Sequence, residues 1–122
     1  MNSYKDLIVW QKSIQLVKDV YKSTEKFPSN EVYGLTSQIR RSVVSIPSNI
    51  AEGFSRRNTG EYKQFLYIAY GSAAELETQL LIANELNFLT EAAYRRLQSL
   101  LTEVLKMLNT MLTNLRRNRS ST

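Results

Sequence analysis

Apolar residues recur three and four positions apart over four long stretches of this chain, and the segments between them are short. That period is the mark of amphipathic helices. The first stretch, over residues 6–25, carries Leu7, Trp10, Ile14, Val17 and Tyr21 as its main stripe, with Asp6 as the expected N-cap. A second, weaker stripe of Val9, Leu16 and Val20 widens its apolar face. Pro28 stops this helix, and Ser29 or Asn30 is placed to cap the next. The second stretch, 31–54, holds Leu35, Ile39, Val43, Ile46 and Ile50 in phase on both sides of Pro47, so the proline is expected to kink the helix without ending it. After a turn at Asn58-Thr59-Gly60, with Thr59 as N-cap, the third stretch spans 60–86, with core positions Phe65, Ala69, Ser72, Leu76, Leu80 and Ala83. Gly71 lies mid-helix, where it costs up to about 1 kcal/mol against alanine, which suggests close approach by a neighbouring helix. Asn87 ends the third helix and Thr90 caps the fourth. That fourth stretch, 90–116, alternates strictly through Tyr94, Leu97, Leu101, Val104, Leu108, Met111 and Leu115. Residues 117–122 read as a frayed basic tail.

Four helices joined by short turns predict an all-α fold, a single-domain antiparallel up-down-up-down four-helix bundle over residues 1–122. At 1.5 Å per residue the last three helices extend roughly 35–40 Å each.

Composition narrows the chemistry. The 122 residues include no cysteine and no histidine, which removes disulfides, thiolate metal sites, imidazole bases and the Glu-x-x-His ligands of di-iron bundles. No cofactor or metal site is therefore expected. Absence of cysteine is ordinary for a cytoplasmic protein, which is the expected location. The N-terminal apolar run is too short for a signal peptide, and no stretch reaches the ~20 apolar residues of a membrane span.

Sixteen basic against eleven acidic residues leave a net charge of +5. In an up-down-up-down bundle one end collects Lys5, Arg56, Arg57, Lys63, Arg116, Arg117 and Arg119, opposed only by Asp6 and Glu61. The other end is close to neutral. Two readings stand side by side: several of these cations complement helix C-terminal dipoles, and together they form a pole that grips phosphates. Glu52 and Glu75 are candidates to meet between the second and third helices, with Arg41 as counter-ion, and a structural ion pair fits them better than catalysis. Tyr62, Leu66 and Tyr70 form a second stripe on the third helix. This stripe could stack nucleobases, but such a stripe is more often a subunit interface; with Val9, Leu16 and Val20 it is surplus apolar surface, expected to build an oligomer interface.

The run Ser45-Ile46-Pro47-Ser48-Asn49-Ile50-Ala51-Glu52-Gly53, preceded by Leu7-x-Val9-Trp10-Gln11 and followed by Ala69-x-Gly71-Ser72-x-x-Glu75-Leu76-Glu77, resembles the 23S ribosomal RNA intervening-sequence proteins. These are small bacterial four-helix bundles, and the likeness covers residues 4–115. The resemblance implies a homopentameric ring and attaches no catalytic role to the motif. The family is similar in fold to the accessory variability determinant protein of diversity-generating retroelements, a basic pentamer that binds nucleic acid and partners a reverse transcriptase. Arg41, Asn49, Glu52, Gly53, Ser72 and Glu75 read as a polar network fixing the register of the second and third helices, Asn49 reaching carbonyls freed by Pro47. The functional expectation is a non-enzymatic oligomer that binds RNA or DNA through its basic end without reading sequence. The alternative is a scaffold that docks a reverse transcriptase or another RNA-processing enzyme.

Overall fold

A computed structural model of the chain describes residues 3–120, and the side chains of residues 3–115. Among the described residues there are four α-helices and no strand: α1 Ile8–Thr24, α2 Leu35–Phe54, α3 Thr59–Glu85 and α4 Glu91–Ser120. Short 3-10 turns at Tyr4–Asp6 and Ser29–Glu31 precede α1 and α2. Each helix packs on two others (α1 on α2 and α4, α3 on α2 and α4), and the diagonal pairs do not meet among the described residues. This is a four-helix bundle, with its most extensive packing between α2 and α3.

The caps explain most differences from the expected boundaries. Asp6 lies in the first 3-10 turn, which Ser3 caps by accepting from the Lys5 N–H, so α1 starts two residues later, behind Leu7. The segment after Pro28 makes its own 3-10 turn, delaying α2 to Leu35. Neither Ser29 nor Asn30 caps α2; the Leu35 N–H instead donates to Glu31 Oε1 at 3.1 Å. Asn58 rather than Thr59 caps α3: its Oδ1 accepts from the Glu61 N–H at 2.8 Å, and its Nδ2 donates to Glu61 Oε2 at 3.1 Å. Asn87 takes the left-handed conformation (φ 62°), and the Phe88 N–H closes onto the Ala83 carbonyl, ending α3. Thr90 caps α4 as expected, accepting from the Ala93 N–H. Helix α4 then runs to Ser120, through residues expected to fray; arginine favours helix, and cations suit its C-terminal end.

The core is built from Leu16, Val20, Ile39, Val43, Ile46, Ile50, Leu66, Leu76, Leu80, Leu97, Leu101, Val104 and Leu108, all essentially closed to solvent. This overturns part of the expected interface. Val9, Leu16, Val20 and Leu66 point into their own bundle and cannot serve a neighbouring chain. In α1 the true stripe is Val9-Ser13-Leu16-Val20-Thr24. Its two polar members bury cheaply because Ser13 Oγ donates to the Trp10 carbonyl and Thr24 Oγ1 to the Val20 carbonyl, both at 2.8 Å. Trp10, Ile14 and Val17 are half-buried at its edge, and Tyr21 is exposed. In α3 the core passes through Leu66 and Ala73 instead of Phe65 and Ser72, which are half-buried. Near the end of α4, Leu112 takes the buried place expected of Met111.

Candidate functional site

Helix α2 continues through Pro47, whose ring is buried. The proline offers no N–H to the Val43 carbonyl four residues back. Asn49 does not repair that loss: its Nδ2 donates to the Ser45 carbonyl at 2.8 Å and to Ser45 Oγ at 2.9 Å. Ser45 Oγ lies 2.8 Å from Ser72 Oγ, so one chain of hydrogen bonds ties α2 to α3. The expected network is thus reduced to Asn49, Ser45 and Ser72. Glu52 leaves it for the nearer cation on its own helix, Arg56, at 3.0 Å. Glu75 and Arg41 are exposed, and neither joins an ion pair among the described residues.

Gly53 sets how closely the two helices approach. A Cβ there would lie 2.8 Å from Phe65 Cβ and 3.2 Å from the Tyr62 carbonyl oxygen, so only glycine fits. Around it, Phe54 meets Tyr62 edge-on at 6.1 Å, and the Arg56 guanidinium lies 4.8 Å from the Phe65 ring centre. Burial raises the Tyr62 pKa above its ordinary value of 10.0. Tyr62 and Tyr70 are half-buried and pack against the core, so they offer little free face to stack a nucleobase.

Of the expected basic end, Lys5 and Arg57 are exposed and Lys63 is half-buried. Three ion pairs join side chains among the described residues, Lys12–Glu103, Arg56–Glu52 and Arg95–Glu91, and none involves Lys5, Arg57 or Lys63. Arg56, by contrast, is largely committed to Glu52 and Phe65. The side chains of Arg116, Arg117 and Arg119 lie outside the described residues. No group of three or more Asp and Glu side chains is placed to hold a metal ion among the described residues. No helix there is long and apolar enough to cross a membrane.

Two features escaped the reading of the sequence. Gln79 is buried on α3 although polar, and its Oε1 has no hydrogen-bond partner. Its place in phase between Leu76 and Ala83 was the available signal. Tyr33, in the turn before α2, is 96% exposed. Both line a polar cavity between α2 and α3.

A four-helix bundle bound across α2 and α3 by the Asn49–Ser45–Ser72 hydrogen bonds defines the class. The chain belongs to the 23S rRNA-intervening sequence protein family, whose model matches residues 5–110. It is similar to a crystal structure from Bacteroides thetaiotaomicron, described as a protein of unknown function from the S23 ribosomal protein family. The two are 25% identical and superpose with a TM-score of 0.78 over 86% of this chain and 98% of the other. No curated protein matches the chain significantly.

Proposed function

We propose that this protein is a non-enzymatic, self-assembling bundle that binds RNA or DNA through phosphate contacts at one end. The observation that carries the reading is that Lys5, Arg57 and Lys63 have no carboxylate partner among the described residues. On an up-down-up-down path these three would fall at one end of the bundle. Supporting that path, Ser45 lies beside Ser72 while Gly53 lies against Tyr62 and Phe65, opposite directions along α2 and α3. Lys12 reaches Glu103, while Leu7–Val9 share a groove with Met107 and Met111, the same relation between α1 and α4. A bend of α2 at Pro47 belongs to this reading, favoured by the missing backbone donor. The sequence adds Arg116, Arg117 and Arg119 to that end. Phosphate contacts of this kind give affinity without sequence preference and weaken steeply with salt. Arg57→Glu with Lys63→Glu tests it more cleanly than any change at Arg56. Binding of a labelled structured RNA should fall at least ~10-fold at low salt, with the helical circular dichroism unchanged. Equal affinity in the double variant contradicts the proposal.

A second reading, as a protein-interaction scaffold, is favoured by the outer face of α3. Tyr67, Ile68, Leu81 and Ile82 are all substantially exposed there, and a Cβ on Gly71 would meet nothing within 4 Å. The close approach expected at Gly71 is therefore not made inside this chain. We assign this face to self-assembly, with a ring of five as the form the resemblance implies and a reverse transcriptase or other RNA-acting protein as the competing occupant. A 14 kDa species at micromolar concentration in sedimentation velocity would count against self-assembly.

A further inference from the structure

The polar cavity between α2 and α3 belongs to neither reading above. It encloses about 380 Å³, within the range of small-molecule sites, and Tyr33, Ser37, Arg41, Ser72, Glu75 and Gln79 line it. We propose that it binds a nucleoside monophosphate, free or at the end of a strand. Arg41 takes the phosphate, Tyr33 stacks on the base, and Gln79 with Glu75 bonds the base edge or the ribose hydroxyls.

Each part answers an otherwise unexplained feature. Arg41 is exposed, enters no ion pair among the described residues, and with Ser37 also borders a second groove of about 430 Å³ on the other side. Its planar fork suits a phosphate. Arg40, lining that second groove, is already held. Its Nε donates to Thr24 Oγ1 at 2.9 Å and its guanidinium lies 4.6 Å from the Tyr21 ring centre, so it adds positive potential without competing for the ligand. Tyr33 packs against almost nothing, and an open aromatic face beside an arginine is the arrangement that stacks bases. Gln79 is only 7% exposed, and its Oε1 lacks a donor. A buried acceptor left without a partner is costly, and Gln79 Nε2, which makes no hydrogen bond among the described residues, can donate to a base or ribose oxygen from the cavity wall. Ser72 Oγ, bonded to Ser45, keeps hydrogen-bonding capacity for a ligand hydroxyl.

The charge sets the class. Arg41 and Glu75 both line the cavity, so a single phosphate directed at Arg41 meets less repulsion from Glu75 than a polyphosphate would. An amino-acid zwitterion would satisfy both charges but would leave Tyr33 and Gln79 without a role.

Titration calorimetry with the four ribonucleoside 5′-monophosphates tests the site on the full chain. The expected result is saturable binding of at least one, weakened ~10-fold or more by Arg41→Ala and by Tyr33→Ala. Gln79→Leu should weaken the same binding while raising the melting temperature, because it removes an unpaired buried amide. A purely structural Gln79 would not give that pair of changes. Arg57→Glu with Lys63→Glu should leave mononucleotide binding unchanged, which separates this site from the basic end. A 5′-phosphorylated oligonucleotide that binds more tightly than the mononucleotide assigns the site to strand ends, and the reverse assigns it to free nucleotide. No saturable binding at millimolar ligand overturns the proposal. So does binding that Arg41→Ala and Tyr33→Ala leave intact, or inorganic phosphate binding as tightly as the nucleotide.

Discussion

Two hydrogen bonds from one amide, Asn49 Nδ2 to the carbonyl and hydroxyl of Ser45, orient the serine whose Oγ bridges α2 to Ser72 of α3. Asn49→Ala removes both donors and leaves Ser45 with only Ser72 as a side-chain partner. Denaturant unfolding should report a loss of about 1–3 kcal/mol; an unchanged midpoint would show these bonds to be incidental. The glycines make a paired test. Gly53→Ala places a methyl 2.8 Å from Phe65 Cβ and should destabilise the fold clearly, since packed backbone and ring must both move. Gly71→Ala meets open space within the chain, and in the monomer it should stabilise α3 by up to about 1 kcal/mol. Tyr62 bears on alkaline behaviour. Its folded-state pKa is raised by burial, so its neutral form fits the fold without penalty below about pH 10. Above that pH the unfolded chain ionises it more readily, and stability falls as pH rises through the folded value. Tyr62→Phe should reduce that decline relative to the parent chain in urea melts between about pH 9 and 11. The polar motif itself was legible in the sequence, because Ser45, Asn49 and Glu52 form a polar stripe on a helix that also carries Pro47, which a stability-only helix would not need. Its partners were not: Glu52 faced Arg41 on paper, but Arg56 lies one helical turn away and wins.

The number, order and approximate span of the helices could be read from hydrophobic period alone. Which stripe faces inward could not always be. In α1, Ser13 and Thr24 interrupt the apolar record of the true core stripe, yet both hydroxyls are satisfied within the helix and bury without penalty. A count of apolar residues therefore favoured Leu7-Trp10-Ile14-Val17-Tyr21, of which Leu7 is buried but Trp10, Ile14 and Val17 lie at the edge and Tyr21 is exposed. The distinction is testable. Leu16→Ala should cost about 2–5 kcal/mol of folding stability with no specific effect on self-association, as for a fully buried leucine. Ile14→Ala, at a half-buried site, should cost clearly less. Equal costs at the two positions, measured by urea unfolding, would contradict this assignment of the core. In α3 the ambiguity has another source. Apolar residues surround the helix, so period alone does not choose between Phe65 and Leu66, and Tyr67, Ile68, Leu81 and Ile82 remain exposed on the outer face.

At the scale of the whole molecule, the proposed function makes charge and assembly act together. A ring formed through α3 would repeat Lys5, Arg57 and Lys63 around one rim and multiply the phosphates contacted at once. Leu81→Asp should then shift sedimentation toward the monomer and also weaken binding to long RNA, whereas Arg57→Glu with Lys63→Glu should weaken binding and spare assembly. The most direct measurement is fluorescence anisotropy of a labelled structured RNA titrated with the protein across a salt series. Sub-micromolar binding that falls by several orders of magnitude from about 50 to 200 mM salt, with a shallower slope in the double charge variant, is the predicted result. No binding at the lowest salt, or binding indifferent to salt, would contradict the central claim and leave the free cations as helix-end charges, with the exposed face of α3 as the functional surface.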